Sequence, residues 1–329
     1  MTLDELVLEY EETMKYTIKA GSLATYRSSY DFYSKKYFGN MQIEDINNNV
    51  VKNWWNKILN SKTRTGKDYS IKTINSYIKS SISVYLSYAE HMGYIKRNPL
   101  KSIPKYKCPD KVPQTYENFW ELSDFKYFLN FVDIEIYRDL FYIIFFTGMR
   151  IGEVIAMTWE DIDFFNKKLS INKNLRYAYQ KGYITSSPKS KCSVRKIELS
   201  DMCMEILNKI RLDQLKDNNY SIHDYVFGGK KFLRYCTIRK YFKKYLYKSG
   251  VKEISIHGLR HSHASMLINA GVSDNLIANR LGHSIFTLHD TYAHIYSTSK
   301  KDFYPILNKL ENNFKEIQYQ NNSKEELYN

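Results

Sequence analysis

One stretch constrains this chain more than any other. Residues 256–296 read IHGLRHSHASMLINAGVSDNLIANRLGHSIFTLHDTYAHIY and hold six of the chain's eight histidines, with Arg260 and Tyr292 among them. His257, Arg260 and His261 are spaced i, i+3, i+4, so on a helix they share one face. Ala264, Met266, Leu267 and Ile268 supply the apolar side of that helix, and Gly271 ends it. Ser273 and Asp274 have the form of a cap for a second helix over 275–281. His283 then follows Gly282, just past the helix end, and Tyr292 comes nine residues later.

These residue types point to a phosphodiester. Arginine presents a planar fork that matches two phosphate oxygens. A tyrosine hydroxyl can attack phosphorus and hold a covalent bond. Positioned Arg and His donors neutralise the charge that develops during attack, without a metal. Taken singly, each residue also fits a solvated basic face or a core-satisfied histidine. His257 and His261 have the i, i+4 spacing of zinc ligands, but the Glu of an HExxH motif and a clear third ligand are missing.

A chain of 329 residues with 43% hydrophobic content is long enough for two domains, each with its own core. No apolar run reaches the ~18 residues that a membrane span needs. The start, MTLDELVLEYEE, lacks the basic beginning and apolar middle of a signal peptide. Cys108, Cys192, Cys203 and Cys236 form no CxxC pair, so a reducing cytoplasm fits, and Cys203 and Cys236 read as small core residues. The formal charge of +14 asks for a polyanionic partner, nucleic acid first. Between Lys52 and Lys111 thirteen Lys or Arg face only three acids, and Trp54, Trp55, Tyr69, Tyr77, Tyr85, Tyr88 and Tyr94 are interleaved with them. Such a run usually marks a solvated face, and here it fits a surface that follows a phosphate backbone. Lys52, Lys62, Arg64, Lys67, Lys72, Lys79, Lys96 and Arg97 are the candidate DNA contacts.

The first hundred residues read as helices. Leu3, Leu6, Val7 and Tyr10 have helical spacing; further helices are expected over 22–37, 48–59 and 71–91, with a polar loop over 61–68. Pro104, Pro109 and Pro113 mark a linker. Beyond it, a helix that includes Phe128, Leu129 and Phe131 is followed by a strongly apolar helix over 134–147. Next comes TGMRIGEVIAMTWEDID, in which a carboxylate at Glu153 stands one helical turn from Arg150 and can orient its guanidinium. Short strands are expected over 169–171, 183–185, 194–199 and 225–227, and helices over 201–216 and 237–250. Between two of the strands lies SPKSKC, where a turn could deliver Lys189 or Lys191 to protonate a leaving 5′ oxygen. Phe303, Ile306, Leu310, Phe314 and Ile317 form an amphipathic stripe before a polar tail over 316–329.

HGLRHSHAS, LGHS and TYAHI at these spacings resemble the second conserved box and the nucleophile segment of the tyrosine recombinases, the phage-type integrases. TGMRIGE resembles the first box of that family, SPKSKC its lysine-bearing hairpin, and IKRNPLKSIP the end of its helical domain. The resemblance runs over about residues 1–315. It implies a mainly α fold with a small β-sheet (α+β): a helical core-type DNA-binding domain over 1–103, a linker over 104–117 and a catalytic domain over 118–315. It implies metal-independent strand exchange with no cofactor. Tyr292 would be the nucleophile forming a 3′-phosphotyrosyl link, with Tyr296 the alternative. Arg150 and Arg260 would clamp the phosphate, His257 would assist proton transfer, and His283 would hydrogen-bond the phosphate. Lys189 would be the lysine, with Lys191 the alternative. Glu153, His261 and His294 would support the site, while His263 and His289 would be structural. The implied partners are double-stranded attachment sites, a homo-tetramer on DNA that is monomeric or weakly associated in solution, and accessory bending or directionality factors. The implied location is bacterial cytoplasm at the nucleoid. Binding to distal arm sites stays open, because helical core-domain residues begin almost at Met1. A type IB topoisomerase-like enzyme and a catalytically silent DNA-binding protein are the alternatives on the same fold.

Overall fold

The computed structural model describes residues 1–63, 65–104, 118–180, 182–186 and 193–298; for 186 and 293–298 it describes the backbone alone. The described chain forms two compact units, one of residues 1–114 and 175–186, the other of 115–174 and 187–329.

The first unit begins with α1 (Leu3–Met14), which starts at a Thr2/Glu5 capping box. α2 (Ala20–Tyr33) and α3 (Lys35–Phe38) follow. The single helix expected over 22–37 therefore starts two residues early and breaks at Ser34. The Ser34 side chain turns inward to bond the buried Ser81 hydroxyl. α4 (Asn48–Leu59) is capped by Asn47, whose side chain accepts from Asn49 and Val50. The helix expected over 71–91 is not uniform. α5 (Ile71–Thr73) runs into a π-helical turn, Ile74–Ile78, before α6 (Ser80–His91). That wider turn leaves both Ile74 and Ile78 in the core. The core itself is aromatic. Tyr10 and Tyr30 pack edge-on against Tyr85, with ring centroids 5.2 and 5.5 Å apart. Trp54, Trp55, Tyr85 and Tyr88 belong to this core, which removes them from the basic surface where interleaving had placed them. Tyr77 and Tyr94 do reach the surface.

The second unit opens with α7 (Leu122–Leu129), α8 (Glu135–Thr147) and α9 (Ile151–Val154). Phe131 lies beyond the end of α7. β1 (Ile162–Asp163), β2 (Lys168–Ile171) and the later β5 form an antiparallel sheet in the order β1-β2-β5. β3 (Asn174–Ala178) and β4 (Gly182–Ser186), whose residues 175–186 belong to the first unit, make a separate two-stranded pair, of which β3 was not expected. β5 (Arg195–Glu198) pairs Ile197 with Leu169 and Arg195 with Ile171. α10 (Asp201–Gln214) and α11 (Tyr235–Ser249) follow. Residues 225–227 are not a strand; Tyr225 makes only isolated bridges, because Gly228 and Gly229 at positive φ turn the chain back. Cys203 is buried as expected, but Cys236 is exposed on the outer side of α11. α12 (Ile256–Asn269), α13 (Asp274–Leu281) and α14 (Ile285–Thr298) complete the unit. α12 packs against α8, α13 and α14. No helix among the described residues is long and apolar enough to cross a membrane.

Candidate active site

Two tight turns frame the site, and both require glycine. α8 ends at Gly148 in a left-handed conformation with φ of 66°. A Cβ there would lie 2.5 Å from the His263 ring and 2.8 Å from the Leu281 side chain. α13 ends at Gly282, also left-handed. Between these turns lies Arg260, fully buried on α12. Its Nη1 donates to the Gly148 carbonyl at 2.6 Å, and its Nη2 donates to the Leu281 carbonyl and to His283 Nε2, the latter at 2.9 Å. The guanidinium thus holds the turn after α8 to the turn after α13.

Arg150 occupies the N-cap of α9. Its backbone N–H and its Nη1 both donate to the Glu153 carboxylate at 2.9 Å, and its Nη2 donates to the Gly282 carbonyl at 3.3 Å. Its side chain remains 32% exposed, unlike that of Arg260. Glu153 is buried, and burial alone would raise its pKa. Hydrogen bonds and charge from Arg195, then from Arg150, outweigh that and hold it below the ordinary carboxylate value. Arg195 was not among the expected site residues. It closes the PKSKCSVR segment, and it lies at the same strand parity as the buried Ile197, which is the signal that it points inward.

Tyr292 on α14 is 1% exposed and packs with Ala264, Ile268, Ile277, Ala278, Leu281 and Leu288. Its hydroxyl lies 2.9 Å from His261 Nδ1. The His261 ring stands edge-on between Tyr292 and His257, with centroids 5.5 and 4.8 Å away. Burial pushes the Tyr292 phenol up to about 12, opposed by the positive charge of Arg260 and Arg150. Burial, then Arg260 and Arg150, drives His283 down to about 3. Packing around the His257 ring lowers its pKa, and His261, Arg260 and Arg150 act in the same direction, although one side of the residue still faces solvent. His257 and His283 are therefore neutral at pH 7. Because His283 Nε2 accepts from Arg260, the proton sits on Nδ1, which is buried and meets no acceptor among the described residues. Arg260 Nε is buried in the same condition. Buried donors of this kind demand a partner, and one phosphate oxygen each would supply it.

The structure separates His263 and His289 from this group. His263 is buried, with Nδ1 2.9 Å from the Phe145 carbonyl and Nε2 accepting from Arg280 Nε at 3.0 Å. His289 pairs with Asp274 at 2.7 Å on the surface. Lys189 and Lys191 lie outside the described residues, as do Arg64 and the stripe over 303–317; the side chains of His294 and Tyr296 are likewise outside. Among the described residues, no group of His, Cys, Asp and Glu is placed to hold a metal ion.

Of the candidate DNA contacts in the first unit, Lys52, Lys67, Lys72, Lys96 and Arg97 are exposed. Lys62 is exposed and paired with Asp68, and Lys79 is half-buried and donates to the Ile103 carbonyl. A second basic surface stands out in the other unit. Between Lys230 and Lys252 there are nine Lys or Arg and no acid. α11 turns Ile238, Phe242, Tyr245 and Leu246 inward and presents Arg239, Lys240, Lys243 and Tyr247 outward. Lys244 and Lys248 are drawn to one side by Asp133.

Comparison with known proteins identifies the family and the fold. Residues 124–299 match the phage integrase family, and residues 2–59 match the phage integrase N-terminal SAM-like domain. The ICEBs1 integrase of Bacillus subtilis (strain 168) is 28% identical over 250 residues, covering 73% of this chain and 66% of that relative. A XerC-like tyrosine recombinase of Caldanaerobacter subterraneus subsp. tengcongensis is 27% identical over 322 residues, 91% of this chain and 80% of its own length. Among solved structures, the Tn1549 transposon integrase in complex with a circular-intermediate DNA superposes with a TM-score of 0.68 at 20% identity, covering 94% of this chain and 99% of that one. A lambda integrase dimer bound to a COC′ core site gives 0.62 at 20% identity, over 89% and 95%. Since the first of these family matches spans more than half of the sequence and contains both framing turns, Arg150, Arg260 and Tyr292, the chain belongs to the phage integrase family.

Proposed function

We propose that this chain is a site-specific DNA recombinase of a mobile element, cutting and rejoining DNA through a 3′-phosphotyrosyl intermediate for integration and excision. The observation that carries the reading is the pair of buried donors that meet no acceptor among the described residues, Arg260 Nε and His283 Nδ1, in the group that also holds Arg150 and Tyr292. In this reading the Tyr292 oxygen attacks the scissile phosphorus and the bond to the 5′ oxygen breaks. Arg150 and Arg260 neutralise the non-bridging oxygens, and His283 donates to one of them. A phenol held near pKa 12 needs a proton acceptor at neutral pH, and His261 Nδ1 is in hydrogen-bond contact with it. His257, which meets that ring edge-on, assists the proton transfer. Lys189, or Lys191, protonates the departing 5′ oxygen. The phosphotyrosyl bond conserves the energy for rejoining, so neither ATP nor a cofactor enters.

The DNA partner is supported by the basic face of α11 and the exposed lysines of the first unit, which fit the phosphate backbone of a double-stranded attachment site. The relatives point to mobile elements, and the structural neighbours include a lambda integrase tetramer bound to a Holliday junction. A tetramer on DNA, accessory bending or directionality factors, and a cytoplasmic location at the nucleoid follow for this chain under the same reading. The decisive experiment uses nicked duplexes carrying an attachment site, which trap the covalent complex. Wild-type protein is expected to yield a protein-DNA band resistant to detergent, and Tyr292→Phe to bind the same duplex with no such band. A band from the Phe variant would move the nucleophile to Tyr296 or overturn the reading.

A further inference from the structure

Arg195 touches two parts of the site at once and is almost closed off from solvent. Its side chain is 6% exposed. Nη2 donates to Glu153 Oε2 at 2.9 Å and Nη1 to Oε1 at 3.2 Å, a fork on one edge of the carboxylate. Nη1 also donates to the Ser193 carbonyl at 3.0 Å, and Nε donates to the Arg280 carbonyl at 2.6 Å. Every donor group of this arginine is engaged. Glu153 in turn accepts four hydrogen bonds, two from Arg195 and two from Arg150, and has no room for a third from Arg150.

That saturation has a consequence for Arg150. A buried carboxylate next to a lone arginine draws it into a bidentate pair, with both Nη groups committed. Here one edge of Glu153 is already taken. Arg150 contributes a single guanidinium nitrogen to Glu153 and spends another on the Gly282 carbonyl, and its side chain stays partly exposed. The Arg280 carbonyl that Arg195 holds lies two residues before Gly282, so the same guanidinium also fixes the turn on which Arg150 rests.

We propose that Arg195 is a positioning residue for strand cleavage, occupying one edge of Glu153 and holding the Arg280 carbonyl so that Arg150 stays end-on and keeps its outer edge for the scissile phosphate. This rests on the reading of Arg150 as a phosphate clamp. Without Arg195, Arg150 closes onto Glu153 and leaves the phosphate, so charge neutralisation during attack is lost while Tyr292 and its proton acceptor remain.

The test compares two substrates in single-turnover cleavage by the full chain. One is the nicked duplex with an ordinary phosphodiester at the scissile position. The other carries a methylphosphonate there, which has no negative charge to clamp. Arg195→Met is expected to slow cleavage of the phosphodiester by about 10–100-fold, the usual range for a group that orients a reacting one. On the methylphosphonate its rate relative to wild type should return to within about threefold. Arg195→Lys, which keeps the charge but loses the fork, should show the same substrate dependence with a smaller defect, and it serves if Arg195→Met does not fold. An equal defect on both substrates would make Arg195 a general structural residue and overturn the proposal. So would wild-type cleavage of the phosphodiester by both variants. Failure of the underlying reading looks different: wild type itself would then form no covalent complex, or Tyr292→Phe would still form one.

Discussion

At the scale of single residues, the site separates histidines by what holds them. His261 touches the nucleophile candidate, and His261→Ala is expected to lower single-turnover cleavage by about 100-fold or more, the usual contribution of a positioned proton acceptor. DNA affinity in a gel shift should be unchanged; an unaltered cleavage rate would remove His261 from the chemistry. His263 does something else. Its pKa is driven down to about 3, by burial first and then by the Arg280 charge, against an ordinary 6.5. A histidine that binds its proton more weakly when folded lends stability that is fully present above 6.5 and is lost as pH falls from there towards 3. Gln at this position can donate to the Phe145 carbonyl and accept from Arg280, yet it does not titrate. His263→Gln is therefore expected to fold, and its melting temperature should fall less between pH 6.5 and 5 than that of wild type. Identical slopes would show that His263 is not responsible. His283 shifts in the same direction and would leave part of the slope in place.

Elements show why some of this was legible in the sequence and some was not. His257, Arg260 and His261 fall on one helix face by spacing alone, and Glu153 sits one turn from Arg150; local periodicity reaches that far. Arg195 finds its carboxylate 42 residues away, and no local pattern marks a partner at that distance. The π-turn at Ile74–Ile78 has no distinguishing residue either, since it arises from packing both isoleucines inward. Helix α14 was missed because its register is set by Leu288 and Tyr292 packing against α12 and α13, while its exposed side carries Ile285 and Phe286. The basic face of α11 follows from the same charge-run rule as Lys52–Lys111, and its lack of any acid makes it the cleaner signal. The framing turns give the sharpest prediction at this scale. Gly148→Ala forces a side chain into left-handed backbone and against the His263 ring, and should cost about 1–3 kcal/mol. Chemical denaturation would measure it; a loss below about 0.5 kcal/mol, the size of an ordinary surface change, would mean that the turn relaxes freely.

For the whole molecule, assembly on DNA is the property that lies furthest from the described residues. The apolar stripe of Phe303, Ile306, Leu310, Phe314 and Ile317 follows α14 and needs cover, either from its own unit or from a neighbouring copy. We favour the neighbour, which would couple the state of each Tyr292 to the next protomer. Truncation after Ser299 should then leave binding to a single site nearly intact and abolish cooperative occupancy of paired sites. Synaptic tetramers and full-rate recombination by the truncated chain would refute exchange of this segment.

The grip of Arg260 on two carbonyls bears on when this protein becomes dangerous to its host. One anchor lies 112 residues before Arg260 and the other 21 after it. A growing polypeptide cannot make the second contact until α13 has left the ribosome, and Tyr292 emerges later still. Incomplete translation products and proteolytic stumps ending before Leu281 therefore carry Arg150 and Arg260 without the turn that aligns them and without the candidate nucleophile Tyr292. Such a fragment is therefore expected to cut no DNA, and the chain has to extend past Tyr292 before it holds the whole candidate site.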